Sequence, residues 1–150
     1  MPFIVKVNRI KFSASHFLKE PLKCSQLHGH NYYISVELSS ALDENFFVVD
    51  FIDLKKKVKS VIKSLDHYIL IPKNSKNILI KEVEDTVEIM TNTNKRYVFP
   101  KSDVTFLPLQ ATTSELLAQY LHGEIKKIYP DKLVKVILEE SKSTMAIYEE

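Results

Sequence analysis

The sequence predicts an α+β fold in which two helices pack on one face of an antiparallel β-sheet. Apolar side chains recur at helical spacing in two segments, and most of the remaining chain has the alternating or β-branched patterns of strands. The predicted order is strand, strand, helix, several strands, helix, strand, strand. Because this order does not alternate single strands with helices, it favours a sheet covered on one face over a doubly wound parallel sheet.

The composition is that of one globular domain spanning residues 1–150. Of the 150 residues, 45% are hydrophobic and 27% are charged, as in ordinary single domains. Two glycines and six prolines provide no linker that would divide the chain. Since a domain of this size buries a smaller fraction of its surface than a larger one, we expect self-association.

Charge and cysteine content indicate a cytoplasmic protein. The 21 Lys and Arg residues are interspersed with 19 Asp and Glu residues, for a formal charge of +2, so no nucleic-acid partner is expected. The single cysteine cannot form an internal disulfide. Polar residues interrupt the first ten positions, and no segment has the roughly 20 apolar residues of a membrane span. We therefore expect neither a signal peptide nor a membrane partner.

The first half of the chain contains two predicted strands and a helix. Residues 3–15 are rich in Val, Ile and Phe and predict a long strand. Residues 28–38 alternate, with histidine, tyrosine and aliphatic side chains at the even positions, which we expect on the covered face of the sheet. Residues 51–65 form an amphipathic helix pattern with five lysines on the other side. Asp50 is the predicted N-cap, and the helix should end near residues 66–67.

The second half contains shorter strands and a second helix. This helix is predicted to begin at Thr112, which fits a capping box with Glu115, and to end before Pro130. Residues 134–140 and 145–148 predict two closing strands. Four further segments have strand character: residues 78–83, 86–90, 97–99 and 104–107.

Three histidines near the first two strands form a candidate metal site. His28 and His30 lie two apart on one strand and share a face. His16 ends the preceding strand, so pairing of the two strands through residues 17–27 would bring it close. Three nitrogen ligands and an open fourth position are typical of catalytic zinc. The alternative is that these are separate polar residues near a loop, since a His-x-His pattern alone is common.

Cys24 lies four positions before His28 and permits three interpretations. An isolated cysteine is often only a small buried apolar side chain. Beside a metal ion, its thiol could instead act as a base or nucleophile. The sulfur could also be a fourth zinc ligand, and the spacing does not distinguish these possibilities.

Three polar residues farther along the chain could also take part in chemistry. Asp66 and His67 are either ordinary polar residues at a helix end or an acid–base relay in which the carboxylate fixes the imidazole tautomer. The relay requires the helix to stop there, because adjacent residues diverge on a helix. Glu140 either reaches solvent or, buried by its alternation with aliphatic residues, binds the adjacent N–H donors of a heterocycle. His122, on the second helix, is expected at the surface.

Six short motifs, taken together and in order, resemble the 6-pyruvoyl tetrahydropterin synthase and 6-carboxytetrahydropterin synthase family. The resemblance extends over nearly the whole chain. Each motif is weak alone, and the six together are specific. They are residues 12–16 (FSASH), 24–32 (CSQLHGHNY), 49–51 (VDF), 65–67 (LDH), 113–115 (TSE) and Glu140.

The resemblance implies a tunnelling fold (T-fold), whose subunits assemble into a ring, usually a homohexamer of two trimers with active sites between subunits. It also implies 7,8-dihydroneopterin triphosphate as the substrate and Zn²⁺ as the cofactor. The residue roles that it implies are zinc ligation by His16, His28 and His30, general base catalysis by Cys24, proton relay by Asp66 and His67, and pterin binding by Glu140 with Thr113 and Ser114.

Two products are compatible with this family. Loss of triphosphate and acetaldehyde gives 6-carboxy-5,6,7,8-tetrahydropterin, a precursor of queuosine-type deazaguanine nucleosides, whereas an earlier stop gives the 6-pyruvoyl product. The Cys-x-x-x-His-Gly-His spacing resembles the carboxy-forming branch, which we therefore expect. An alternative of another class is a non-catalytic oligomer in which Cys24 and the three histidines close a structural zinc site.

The sequence also departs from the pattern of this family. Thr112 replaces a common proline, and residues 78–107 form a longer segment than in compact members. The residues that bind the triphosphate are not readable from the motifs, and Lys11, Lys19 and Lys23 are only nearby candidates.

Overall fold

The polypeptide forms two β-sheets and two long helices. A computed structural model describes residues 2–21 and 23–150, so position 22, between the first two strands, lies outside it. The elements are β1 (Phe3–His16), β2 (His28–Ser40), α1 (Phe51–Ile62), β3 (Tyr68–Pro72), β4 (Ile78–Val83), β5 (Thr86–Thr91), β6 (Arg96–Pro100), β7 (Val104–Leu107), α2 (Ser114–Ile128), β8 (Leu133–Ser141) and β9 (Thr144–Glu149).

The main sheet has six strands in the order β7-β3-β1-β2-β8-β9. Strands β1, β2, β8 and β9 pair antiparallel, as predicted, whereas β3 pairs parallel with both β1 and β7. Parallel neighbours require long crossover connections. Strand β2 and helix α1 lie in the connection from β1 to β3, and strands β4 to β6 lie in the connection from β3 to β7. The α+β class is therefore confirmed, but the sheet is mixed rather than purely antiparallel.

Both helices pack on the same face of the main sheet. Their buried residues, which include Leu54 and Leu117, join one apolar core with Tyr32, Ile34 and Val36 of β2. Asp50 caps α1 as predicted, accepting a hydrogen bond from the Asp53 N–H at 2.9 Å. Among the described residues, no helix combines the length and the apolar character needed to cross a bilayer.

Two predictions about α2 are wrong. The N-cap is Thr113 rather than Thr112, since the Thr113 hydroxyl accepts from the Leu116 N–H at 3.4 Å while Thr112 is fully buried before the helix. His122 is also buried, with 5% of its surface exposed. Its ring packs edge-on against Tyr148 of β9 at 4.9 Å, because α2 packs against strands β8 and β9.

Strands β4, β5 and β6 form a separate antiparallel sheet, close to the predicted boundaries. Its buried residues Val87 and Ile89 pack with Ile71 in a second apolar cluster. Leu70, the neighbour of Ile71 on β3, belongs to the main core, so the two clusters lie on opposite faces of the main sheet. Phe17, which directly follows β1, joins the second cluster and ties the small sheet to the end of β1.

Candidate functional site

Strand pairing brings three imidazoles together at one end of the main sheet. In the antiparallel register of β1 and β2, His16 lies opposite His28 and Ala14 lies opposite His30. The ring centroid of His16 is 4.6 Å from that of His28 and 5.1 Å from that of His30. One ring nitrogen of each histidine lies within 4.8 Å of those of the other two, close enough for all three to bind one metal ion.

Backbone carbonyls orient two of these rings. His16 Nδ1 lies 2.9 Å from the Thr112 carbonyl oxygen, and His28 Nδ1 lies 2.7 Å from that of Gln26. Because a carbonyl can only accept, both Nδ1 atoms carry the proton and leave the Nε2 lone pairs available. A hydrogen-bonded second nitrogen of this kind is usual for histidines that bind metal ions.

The third ring has an unpaired nitrogen that also fits a metal ion. His30 Nε2 is buried and has no hydrogen-bond partner among the described residues. Glu140 Oε1 is 3.4 Å away, within ion-pair distance but without hydrogen-bond geometry. A buried nitrogen without a partner is costly, and a bound cation would satisfy it.

Burial favours the neutral form, which metal binding requires, for two of the three imidazoles. Desolvation lowers the pKa of His16 to about 4, although the hydrogen bond to the Thr112 carbonyl partly opposes the shift. Burial also lowers the pKa of His30, and the nearby Glu140 carboxylate opposes this shift. Both imidazoles are therefore unprotonated at neutral pH, with lone pairs free for a cation.

The sulfur of Cys24 lies outside this cluster. Cys24 is half-buried in the segment between β1 and β2. In the described part of the chain, the group of mutually close ligand atoms contains the three histidines and not this sulfur. Three protein ligands with a vacant position for water or substrate are typical of catalytic zinc, whereas structural sites have four.

A carboxylate and a hydroxyl adjoin the cluster on the helix-covered face. Glu140, on β8, accepts a short hydrogen bond from the Ser114 hydroxyl at the start of α2. Together with Thr113, these residues line an open depression beside His30. The preceding Glu139 instead forms an ion pair with Arg9. The site thus combines imidazoles, a carboxylate and a hydroxyl from four different elements.

Asp66 and His67 interact directly because α1 has already ended. A turn follows Ile62, and His67 has a left-handed backbone with φ of 68°. Asp66 Oδ1 lies 2.9 Å from His67 Nδ1 and accepts from the Ser13 N–H at 2.8 Å. The Ser13 hydrogen bond is the main cause of the lowered pKa of Asp66. An ionised Asp66 therefore favours a proton on His67 Nδ1 and leaves Nε2 free to exchange one.

His67 borders a second depression, beside the same two strands that carry the histidine cluster. The depression that His67 lines has a volume of about 440 Å³. Side chains of β1 and β2 that alternate with the clustered histidines point to the opposite face of the sheet. Four such residues, Ser13, Ser15, Gly29 and Asn31, line the depression, and His30 of the cluster also borders it. In a single chain, His67 therefore lies with side chains of the face opposite to the imidazole cluster, and His30 is the one clustered histidine that borders the same depression.

Some contributors to the site were not identified from the sequence. The Tyr32 hydroxyl lies 3.5 Å from His16 Nε2, and burial raises the pKa of Tyr32, so the phenol stays protonated. Tyr32 shares the even positions of β2 with His28 and His30, and this alternation indicates that its side chain lies on the same face. The Thr112 and Gln26 contributions come from backbone carbonyls, which every residue type possesses, so no residue pattern indicates them.

Residues 5–150 match the family model described as 6-pyruvoyl tetrahydropterin synthase. A relative from Methanocaldococcus jannaschii, named putative 6-carboxy-5,6,7,8-tetrahydropterin synthase, is 38% identical over 117 residues, covering 77% of this chain and 71% of the relative. A 6-carboxy-5,6,7,8-tetrahydropterin synthase from Aquifex aeolicus is 32% identical over 136 residues, covering 85% and 76%. The crystal structure of 6-pyruvoyl tetrahydropterin synthase from Plasmodium vivax superposes with a TM-score of 0.92 at 28% identity, covering 100% of this chain and 98% of that chain.

We expect His16→Ala to lower the affinity for a divalent metal ion by at least about 100-fold, because it removes a ligand rather than an outer partner. His122→Ala is the matched control, since His122 is also buried but lies outside the cluster. The measurement is the number of metal ions per chain, by plasma mass spectrometry after dialysis against a weak chelator. This number should fall in His16→Ala and not in His122→Ala. Equal metal retention by the two folded variants would contradict the assignment.

Proposed function

Because the chain belongs to the 6-pyruvoyl tetrahydropterin synthase family, we propose that it is a zinc-dependent lyase acting on 7,8-dihydroneopterin triphosphate. The proposed product is 6-carboxy-5,6,7,8-tetrahydropterin, a queuosine-type precursor, formed with uptake of one water molecule and release of triphosphate and acetaldehyde. Two relatives named for this product support the choice of reaction. The Cys-x-x-x-His-Gly-His spacing supports it independently.

The observation that carries this proposal is a carboxylate next to a three-imidazole cluster. Glu140 Oε1 lies 3.4 Å from His30 Nε2 at the edge of an open depression. The pyrimidine edge of a pterin has adjacent N–H donors, which a carboxylate can accept in two parallel hydrogen bonds. Bound in this way, the heterocycle would place its side chain near the cluster. A purely structural metal site has no need for such a carboxylate.

Each group of residues at the site has a separate role in the proposed reaction. Zinc held by His16, His28 and His30 would act as a Lewis acid on the side-chain oxygens of the substrate. Glu140 and Ser114, with Thr113, would bind and orient the pterin. Cys24 would remove a proton from a side-chain carbon, after which the electrons of the broken C–H bond expel triphosphate. Since this role needs a free thiol, we propose a cytoplasmic location.

We further propose that each active site forms between two subunits of a ring, as a homohexamer. Asp66 and His67 would relay protons at the pterin ring, yet in one chain His67 lines a depression with side chains of the opposite face, and of the three clustered histidines only His30 borders it. A neighbouring subunit could bring its own Asp66–His67 pair to the cluster. Strands β7 and β9 end the main sheet and have one unpaired edge each within the described chain, so they are available for contacts between subunits.

Two alternatives remain for the experiments to distinguish. A 6-pyruvoyl product would mean that the reaction stops before acetaldehyde is lost. A non-catalytic oligomer would need Cys24 as a fourth metal ligand, and the position of its sulfur outside the group of close ligand atoms argues against this.

Zinc-loaded protein incubated with 7,8-dihydroneopterin triphosphate should yield the mass of the 6-carboxy product together with acetaldehyde. Cys24→Ala should lower turnover by at least about 100-fold, since general base catalysis contributes that much, and should leave the zinc content unchanged. Product analysis by mass spectrometry checks the first outcome, and metal analysis checks the second. A 6-pyruvoyl product, no turnover, or loss of zinc from Cys24→Ala would each refute part of the proposal.

Mixed oligomers test whether the site is shared between subunits. Homo-oligomers of His16→Ala and of His67→Ala should both be inactive. When the two variants are co-expressed, some interfaces combine an intact histidine cluster with an intact Asp66–His67 pair, and turnover should return. Oligomers mixed from His16→Ala and His28→Ala serve as the control, because both changes affect the same cluster. If the first mixture stays as inactive as the control, each site lies within one subunit.

A further inference from the structure

The segment that carries Cys24 is held by three consecutive backbone carbonyls. Those of residues 24, 25 and 26 are within hydrogen-bond distance of the Leu18 N–H at 2.9 Å, Lys95 Nζ at 3.3 Å and His28 Nδ1 at 2.7 Å, respectively. The first partner follows β1, and the third belongs to the histidine cluster. The second, Lys95, comes from the separate small sheet.

Lys95 is itself held in a defined turn between β5 and β6. Its N–H donates to the Thr91 hydroxyl at 3.0 Å, and its carbonyl accepts from the Thr91 N–H at 2.9 Å. The backbone of this lysine is therefore fixed at the edge of the small sheet. Only its side chain has to be ordered to reach Ser25, which limits the entropic cost of the contact.

The small sheet also contacts the other end of the same segment. Tyr97, two residues after Lys95, stacks on Phe17 with ring centroids 4.9 Å apart. Phe17 directly follows His16 in the chain. The small sheet therefore touches the chain next to a candidate metal ligand and, through Ser25, next to Cys24.

Packing between the Cys24 segment and the small sheet is incomplete. Leu18, Ser25, Ile78 and Lys95 are among the residues that line a small cavity of about 50 Å³ between them. Packing against the small sheet is therefore not continuous at this point. Within its own segment the Ser25 N–H donates to the Pro21 carbonyl at 3.0 Å, and the Lys95 ammonium adds a hydrogen bond that ties this turn to the small sheet.

We propose that Lys95 is a positioning residue that holds the Cys24 thiol in place relative to the histidine cluster. The Gln26 carbonyl fixes the segment to His28, and the Lys95 ammonium fixes it to the small sheet one residue from Cys24. Residues 78–107 would thereby contribute to the site without touching the substrate. The effect on turnover rests on the function proposed above, whereas the effect on the thiol does not.

The test compares Lys95→Met, which keeps an apolar stem, with Lys95→Arg, which keeps a cationic donor. Lys81→Met is the matched control, since Lys81 is exposed on β4 of the same sheet. Because the chain has a single cysteine, its iodoacetamide alkylation rate reports on Cys24 alone. Lys95→Met should raise this rate about 10-fold, as expected for loss of one charged hydrogen bond. Lys95→Arg and Lys81→Met should stay near wild type.

Turnover provides the second measurement. In Lys95→Met, kcat should fall about 10- to 100-fold, because a displaced catalytic group costs this much, while KM and metal content stay near wild type. Equal alkylation rates in Lys95→Met and Lys81→Met would overturn the proposal, even if wild type proves inactive on the pterin. Loss of metal, or failure of Lys95→Arg to restore the wild-type rate, would also overturn it. If Lys95→Met does not fold, Lys95→Gln, whose amide is too short to reach Ser25, replaces it.

Discussion

The antiparallel register that places His16 opposite His28 is the constraint on which the site depends. In a strand, a shift of one residue moves every side chain to the other face. The register that buries Tyr32, Ile34, Val36 and Leu38 against the helices also places His28 and His30 on the covered side. Slippage would expose four large apolar side chains and scatter the imidazoles. The core therefore stabilises the geometry of the candidate metal site.

Around this register, separate elements each supply one group to the site. The approach to α2 provides the Thr112 carbonyl for His16, and the Cys24 segment provides the Gln26 carbonyl for His28. Strand β8 places Glu140 next to His30. The lowered pKa values of His16 and His30 are a consequence of this enclosure, because burial disfavours the charged imidazolium. Packing and ligand chemistry are thus coupled.

The sequence predicted the family, the α+β tunnelling fold and most elements, and these are confirmed. Alternation and helical spacing are local signals, so they identified β1, β2, α1 and β8. Strand β3 was missed because its short apolar run has no alternation and ends in proline. Its parallel pairing depends on the crossover of the chain, which is not a local property.

At the site, residue identity indicated the histidines, Cys24 and Glu140. The carbonyls that orient the histidine rings, the position of His67 and the hydrogen bond from Lys95 depend on tertiary structure. The proposed roles of these residues stay predictions.

X-ray absorption spectroscopy of the zinc-loaded protein tests the central claim most directly, because it resolves nitrogen and oxygen from sulfur in the first coordination shell. The account predicts that three imidazole nitrogens and one oxygen atom lie about 2.0 Å from the zinc ion, with no sulfur at about 2.3 Å. A sulfur contribution that disappears in Cys24→Ala would contradict it. Such a result would mean that the cysteine closes the metal site and leaves no position for substrate.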